Sequence, residues 1–478
     1  MLKNSTKFSF DYKVCVIFVT NTKDMDIKEI LDNEANKAVS SLKRKQFEIP
    51  SWEELKKAYD PLLHPVMTDP SYNDLVTKNH IEKVSRITLD FQRLAVKRMT
   101  ELCFGIPVKR IYSPENERQR EVVKVIENIY QRNRIDSVNI ERGNMLFASC
   151  EFMTLWYAIE ERNNIYGIDS DIKVRCKSYS PMNGDRLYPL FDENGDYVAM
   201  SIEYDTKDEE DKKHTFFDTY TADTHIKWEK ENGSWKEIIR EEIKIGKNPT
   251  LYCVRRTPIW ENTSGLVYEI EWTLSRNGNY LRKNSKPVLA ISADKHILYG
   301  DEKPGNTEFR SVVQVPQGGN LQYVTWGQAT DNLKFYIEQL RNLFFMELQL
   351  PDWSYENMKT TPMSGEARKQ LFIDSQLKVK EEAGRLEEIL DREVNVVKAF
   401  VKSIMPSYAK DIDALQVECE IKPFIISDEK ELIDNLVTAT GGKAIISQKE
   451  AIEYLGWSND SEATLKQIAD EENIGNSL

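Results

Sequence analysis

Beginning at Ala329, the residues Leu333, Ile337, Leu340, Phe344 and Leu348 recur at steps of three and four. That spacing predicts an amphipathic helix about 30 Å long at 1.5 Å per residue, stopped by Leu350-Pro351. Residues 351–363, which include Trp353, Tyr355, Lys359 and Pro362, read as a loop. From Ser364, a favourable N-cap, apolar positions resume at Phe372, Val379, Ala383, Leu386, Leu390, Val394, Val397, Val401 and Ile404. Their near-heptad spacing predicts a helix of about forty residues with one packed face and one wet face.

The N-terminal half is helical first and β-rich later. Ile81, Val84, Ile87, Phe91, Leu94, Val96 and Leu102 suggest one long helix over 72–103, closed by Gly105 and Pro107. A second is expected over 114–133, with Val122, Val125, Ile126 and Ile129 inward, and a third near 140–153. After Glu161 the texture changes to β-formers at 172–176, 197–204, 215–220, 225–229 and 235–243, separated by Glu193-Asn194-Gly195, the run 208–213 and Asn232-Gly233. This predicts an antiparallel meander of five or six strands. Thr257-Pro258 opens another expected helix, with Trp260, Val267, Ile270, Leu274 and Leu281 on one side. Gly265 and Gly278 weaken it by about 1 kcal/mol each relative to alanine. Between it and the helix at Ala329 lie three short β-rich runs, 287–292, 309–315 and 321–326. The tail has a start at Asp428-x-x-Glu431, a Gly441-Gly442 stop and a Ser447-x-x-Glu450 capping box, a cap of two or three helices. The class is α+β.

Composition narrows the function. A chain of 478 residues suggests two to four domains, and 40% hydrophobic residues suffice for ordinary cores. A formal net charge of -13 argues against broad neutralisation of phosphates, so any DNA contact must be local or weak. The six cysteines show no C-x-x-C spacing, which disfavours a disulfide framework or structural zinc. The longest early apolar run, Val14 to Val19, is far short of a membrane span. Met25-Asp26-Ile27-Lys28-Glu29 is a better helix beginning than anything before it, so Met25 is the expected translation start.

The run Gln314 to Trp326 (QVPQGGNLQYVTW), the helix that follows it, Leu350-Pro351-Asp352 and Ser364-Gly365-Glu366-Ala367 together resemble the portal protein family of long-tailed bacteriophages. Phe104-Gly105-Ile106-Pro107-Val108, Ser180-Pro181 with Tyr188-Pro189-Leu190-Phe191-Asp192, and Ile445 to Ala451 (IISQKEA) resemble further elements of that family, in the family's order from about residue 72 to residue 472. The resemblance implies an organisation: an extension at 1–24, an α-rich wing at 25–160, a β-rich wing at 161–256, a stem helix at 257–286, a clip at 287–327, a second stem helix at 328–350, a tunnel loop at 351–363, a long wing helix at 364–404 and a crown at 405–478. It also implies a ring of twelve copies at one capsid vertex, through which double-stranded DNA passes. The implied partners are the terminase large subunit, major capsid and scaffolding proteins and a head-tail connector, with residence in the virion and, during assembly, the host cytoplasm. A heterologous interface that closes makes such a ring, and the heptad-like face of the long helix is one surface suited to a neighbour.

Catalytic patterns are sparse. Gly300 to Gly305 has phosphate-loop spacing, but Asn306-Thr307 stands where Lys-Ser/Thr is needed, and the run reads better as a loop of the clip. Asp192 to Asp196 superficially resembles a calcium loop, but its glycine falls too early, and a hairpin turn is expected. Asp208 to Asp211 reads as a solvated loop, and five scattered histidines form no H-E-x-x-H. Neither an enzyme nor a cofactor is expected. The candidate DNA-facing residues are Trp353, Tyr355 and Lys359 of the tunnel loop, the mixed-sign row Lys334, Glu338 and Arg341, taken to lie opposite the apolar stripe, and Arg282 and Lys283 on the preceding helix. The row reads more readily as a solvated face with i, i+4 pairing, and Trp353 and Tyr355 equally as anchors of their own loop. The alternatives are a metal-dependent DNA-processing enzyme, which needs clustered carboxylates, and a non-viral scaffold that pairs its long helix in a coiled coil.

Overall fold

The computed structural model describes residues 27–44, 46–77, 80–284, 288–292, 320–324, 330–352, 373–423, 429–441, 444–455 and 461–475. They fall into two compact units, each assembled from separate stretches of chain. One takes its residues from Met1–Ile49, Lys97–Arg256 and Gln349–Leu478, the other from Pro50–Val96 and Thr257–Leu348.

In the first unit, the Asn116 side chain accepts from the Gln119 amide and starts the helix Glu117–Arg132, with Val122, Val125, Ile126 and Ile129 buried as their spacing predicts. The next helix, Ile135–Ser149, stops at Cys150 in the left-handed region. The strand Glu151–Asn163 follows directly, so the expected helix over 140–153 ends four residues early and the expected texture change at 161 falls inside a strand. The first six residues of this strand are all buried. With both faces covered it shows no alternation, and the run was indistinguishable from buried helix. It lies between Thr250–Val254 and Ser170–Tyr179 in an antiparallel three-stranded sheet.

The meander has five strands in sequence order: Arg186–Phe191, Tyr197–Lys207, Lys213–Tyr220, Thr224–Glu231 and Ser234–Glu242. Its first turn is the expected hairpin: Asp192 Oδ1 accepts from the amides of Asn194 and Asp196, and Gly195 takes φ +84°. In the second turn Asp208 Oδ1 accepts from the amides of Glu210 and Lys212, so this acid spends itself on its own loop. Phe217, Ile226 and Trp228 are sealed by Ala38, Val39 and Leu42 of the helix Ala35–Leu42.

The long helix is described over Ile373–Ile404, and its near-heptad positions Val379, Ala383, Leu386, Leu390, Val394, Val397 and Val401 are all buried. They pack on the three-stranded sheet, on the helix Glu117–Arg132 and on the strand Gln416–Glu420 of the same unit. The expectation that this face meets a neighbouring subunit is therefore wrong, and a coiled-coil scaffold loses its seam, because the chain's own sheet already occupies that face. Gln416–Glu420 pairs antiparallel with Lys109–Ser113, tying residues after the long helix back to the N-terminal part of the unit. Beyond it stand the helices Glu429–Thr440, Gln448–Leu455 and Ser461–Gly475. The second begins in the predicted capping box: Ser447 N donates to Glu450 Oε2 at 2.8 Å and Glu450 N to Ser447 Oγ at 3.1 Å.

The second unit starts with a capping box at Ser51 and Glu54 that opens the helix Trp52–Tyr59. The single helix expected over 72–103 is not there. Leu75–Thr77 and His80–Glu82 form a hairpin, residues 83–89 run extended, and the helix is Phe91–Phe104, which belongs to this unit as far as Val96 and to the first from Lys97. The three-residue spacing of Ile81, Val84 and Ile87 misled because the amides of residues 84, 85, 87 and 89 find side-chain acceptors and need no helix to satisfy them. The next helix is Ser264–Asn284; it begins seven residues after Thr257, because residues 258–263 are spent in turns that bury Trp260. Leu281, assigned to its apolar side, is half exposed. The strands Val288–Ser292 and Asn320–Val324 pair antiparallel, and the helix Thr330–Glu347 completes the unit.

Candidate DNA-channel face

The helices Ser264–Asn284 and Thr330–Glu347 lie together, with the Tyr336 hydroxyl donating to Glu269 Oε1 at 3.3 Å. Among the described residues, the antiparallel strand pair Val288–Ser292 and Asn320–Val324 stands between them in sequence. The second helix is anchored by the expected stripe. Leu340, Phe344 and Leu348 are buried; Phe344 stacks on Phe91 with ring centroids 5.3 Å apart, and Phe345 meets it edge-on at 6.3 Å.

At about 100° per residue, Lys334, Glu338 and Arg341 fall along one flank of this stripe, not opposite it as the sequence reading had it. Phe335, 63% exposed, and Met346, 66% exposed, stand opposite the stripe among the polar Gln339 and Asn342, and the exposed Leu343 lies on the other flank. Within the charged row, Lys334 Nζ lies 3.8 Å from Glu338 Oε1, an exposed i, i+4 pair worth a few tenths of a kcal/mol at most. Arg341 is half-buried beside it. Arg282 is turned toward its own chain: its Nη1 donates to the Lys83 carbonyl at 3.3 Å. Arg276 lies over the Trp272 ring at 5.3 Å. The side chain of Lys283 lies outside the described residues, as do Trp353, Tyr355 and Lys359 and the run 300–305. Of the eight candidates the structure brings two together, Lys334 and Glu338.

Two buried ion pairs escaped the sequence reading. His64 Nδ1 meets Glu271 Oε1 at 2.7 Å and His64 Nε2 meets the Ala58 carbonyl at 2.9 Å, with both side chains fully enclosed. Burial works against the charged imidazole, but the bonds to Glu271 and Ala58 outweigh it and hold the His64 pKa above its ordinary value. In the first unit, Arg142 Nη2 and Trp156 Nε1 both donate to Glu393 Oε1, while Arg142 also reaches Asn139 and Thr154. These partners are 207 and 251 residues apart, and no local pattern marks them. Among the described residues, no group of three or more His, Cys, Asp or Glu is placed to hold a metal ion, and no helix is long and apolar enough to cross a membrane.

A helix, a strand-bearing insertion and a returning helix, set in an α+β chain, are the features that the described residues offer for comparison. The sequence matches the model of the family described as "Phage portal protein, SPP1 Gp6-like" over residues 41–476, and the chain belongs to that family. Its place is the portal vertex of a phage-like head. No curated protein matches it. Among solved structures it is similar to chains in the virion of a native gene transfer agent particle (10% identity, 88% of this chain and 97% of that one, TM-score 0.40) and in the neck of the native particle computed with C12 symmetry (10%, 89% and 99%, 0.40). A chain in the neck of the empty particle computed with C6 symmetry is similar at 11% identity, over 76% and 89% of the two chains, with a TM-score of 0.39. The family assignment rests on the sequence match.

Proposed function

We propose that copies of this chain close into a ring of twelve, a passive conduit for double-stranded DNA that docks the terminase large subunit during packaging and the head-tail connector afterwards. Major capsid and scaffolding proteins hold the ring at its vertex. The observation that carries this reading is the family match, which covers nearly the whole chain and takes in both long helices of the second unit and the insertion between them. Charge supports it: a chain at -13 does not grip phosphates over a broad surface, as a sliding contact requires. In this reading Lys334, Glu338 and Arg341 form a mixed-sign seam along the bore. Trp353, Tyr355 and Lys359 form the tunnel loop, Lys283 adds a cation near the insertion, and Arg282 serves the helix and not the duplex. Negative-stain microscopy of the purified chain is the test. Annular particles with an axial hole are expected, and uniformly solid or monomeric particles under conditions that support head assembly would refute the proposal.

A further inference from the structure

Along one side of the helix Ser264–Asn284, four residues spaced by about one turn each meet the extended segment 83–89. Glu271 Oε1 accepts from the Leu89 amide at 2.7 Å, Ser275 Oγ from the Ile87 amide at 2.9 Å and Asn279 Oδ1 from the Ser85 amide at 2.6 Å, and Arg282 donates to the Lys83 carbonyl. The helix side chains therefore take the place of a partner strand. The match follows from geometry, since four helical residues rise about 6 Å and two extended residues advance about 6.6 Å. Glu271 and Ser275 are fully buried, and Ser85 is nearly so. At Gly278 the Ser85 side chain closes in on the helix: a Cβ there would stand 2.8 Å from Ser85 Oγ. Tyr72 ties the ladder from the far side, donating to the Ser85 carbonyl while accepting from Asn279 Nδ2.

We infer that Glu271, Ser275, Gly278 and Asn279 are positioning residues that lock the rotation and axial register of the helix Ser264–Asn284 against residues 83–89, making this helix a fixed strut of the portal. A rotation by one residue, about 100°, would carry all the acceptors away from their amides at once, and a slide by one residue would do the same. The strand Val288–Ser292 comes next in sequence among the described residues, so the lock fixes the helix from which the insertion departs. The inference rests on the portal reading for its role and on the ladder alone for its existence.

Ser85→Cys with Gly278→Cys tests it directly. The Cβ built on Gly278 lies 3.2 Å from Ser85 Cβ, a few tenths of an ångström inside the range of about 3.5–4.5 Å that a disulfide spans, so a small shift closes the bond. Heads carrying this variant should package DNA within about twofold of one another when oxidised and reduced, the scale of a neutral substitution. A loss of about tenfold on oxidation, reversed by reduction with rings intact, would show that the helix must move against the segment, and would overturn the inference. A second pair isolates the hydroxyl: Ser275→Val and Ser275→Thr add the same methyl, but only Thr keeps the acceptor. The Ile87 amide should exchange with deuterium about tenfold faster in the Val variant than in the Thr variant, because a buried donor loses its partner. Equal exchange in the two overturns the lock. If heads built with the unaltered chain take up no DNA, the portal reading fails, and the exchange comparison still decides the lock.

Discussion

Replacing Glu393 with alanine should be among the most damaging single changes available in the first unit. Glu393 and Arg142 are 1% and 3% exposed, so neither charge has water to fall back on. Glu393 Oε1 also receives the Trp156 indole N–H at 3.0 Å, and the truncation strands two donors at once. Removing one member of such a pair costs about 3–5 kcal/mol, mostly the desolvation of the survivor. Against a total of about 5–15 kcal/mol for an ordinary domain, that is a large fraction. Arg142→Met in the same chain should recover much of the loss, because it removes the stranded guanidinium, leaves Thr154 its bond to Ser178 and exposes no buried charge, though the Asn139 amide oxygen loses its donor. The assay is urea unfolding by fluorescence, with indole N–H exchange at Trp156 reporting on this unit separately from the other. A single variant within about 1 kcal/mol of the parent, or a double variant worse than the single one, would refute the claim that the pair is desolvated and coupled.

Raising the pH should loosen the second unit through His64. Its folded pKa lies above the ordinary value, so its contribution is complete below about pH 6.5 and disappears as pH rises through the folded pKa; His64→Gln should flatten that slope in thermal melts, and an unchanged slope counts against it. Ser447→Ala should cost the helix Gln448–Leu455 about 0.5–2 kcal/mol, read as faster amide exchange confined to that helix. Lys359→Glu should leave ring assembly intact while lowering the yield of packaged genomes, and an unchanged yield would count against placing residue 359 in the bore.

The helices with a free face were the legible part of the chain. The stripe Leu340, Phe344, Leu348 and the long run from Val379 to Val401 stand where their periods put them, as does the box at Ser447 and Glu450. Period failed where context replaced it. The segment 83–89 looked helical because its β-branched residues fall three apart, but its amides bond to Asp74, Glu271, Ser275 and Asn279, most of them nearly two hundred residues away. Gly278 reads from the sequence as a weak point in its helix and is the place where the Ser85 side chain needs room. In the candidate channel, residue types were readable but bearings were not. A row of charges shows up in the sequence, but which flank it occupies depends on where the buried stripe sits, and the exposure of Phe335, Leu343 and Met346 became visible only once that was fixed.

The interleaving of the two units has a consequence for synthesis. Because the first unit needs residues before 49, from 97 to 256 and after 349, a ribosome must deliver the helix Ile373–Ile404 before that unit's sheet can be sealed, while the second unit has all its strands and helices once residue 348 has emerged. Nascent chains therefore spend the last stretch of translation with one half able to mature and the other holding an unsealed apolar sheet. Premature stop codons anywhere upstream of Val401 should yield aggregating fragments and not smaller working proteins.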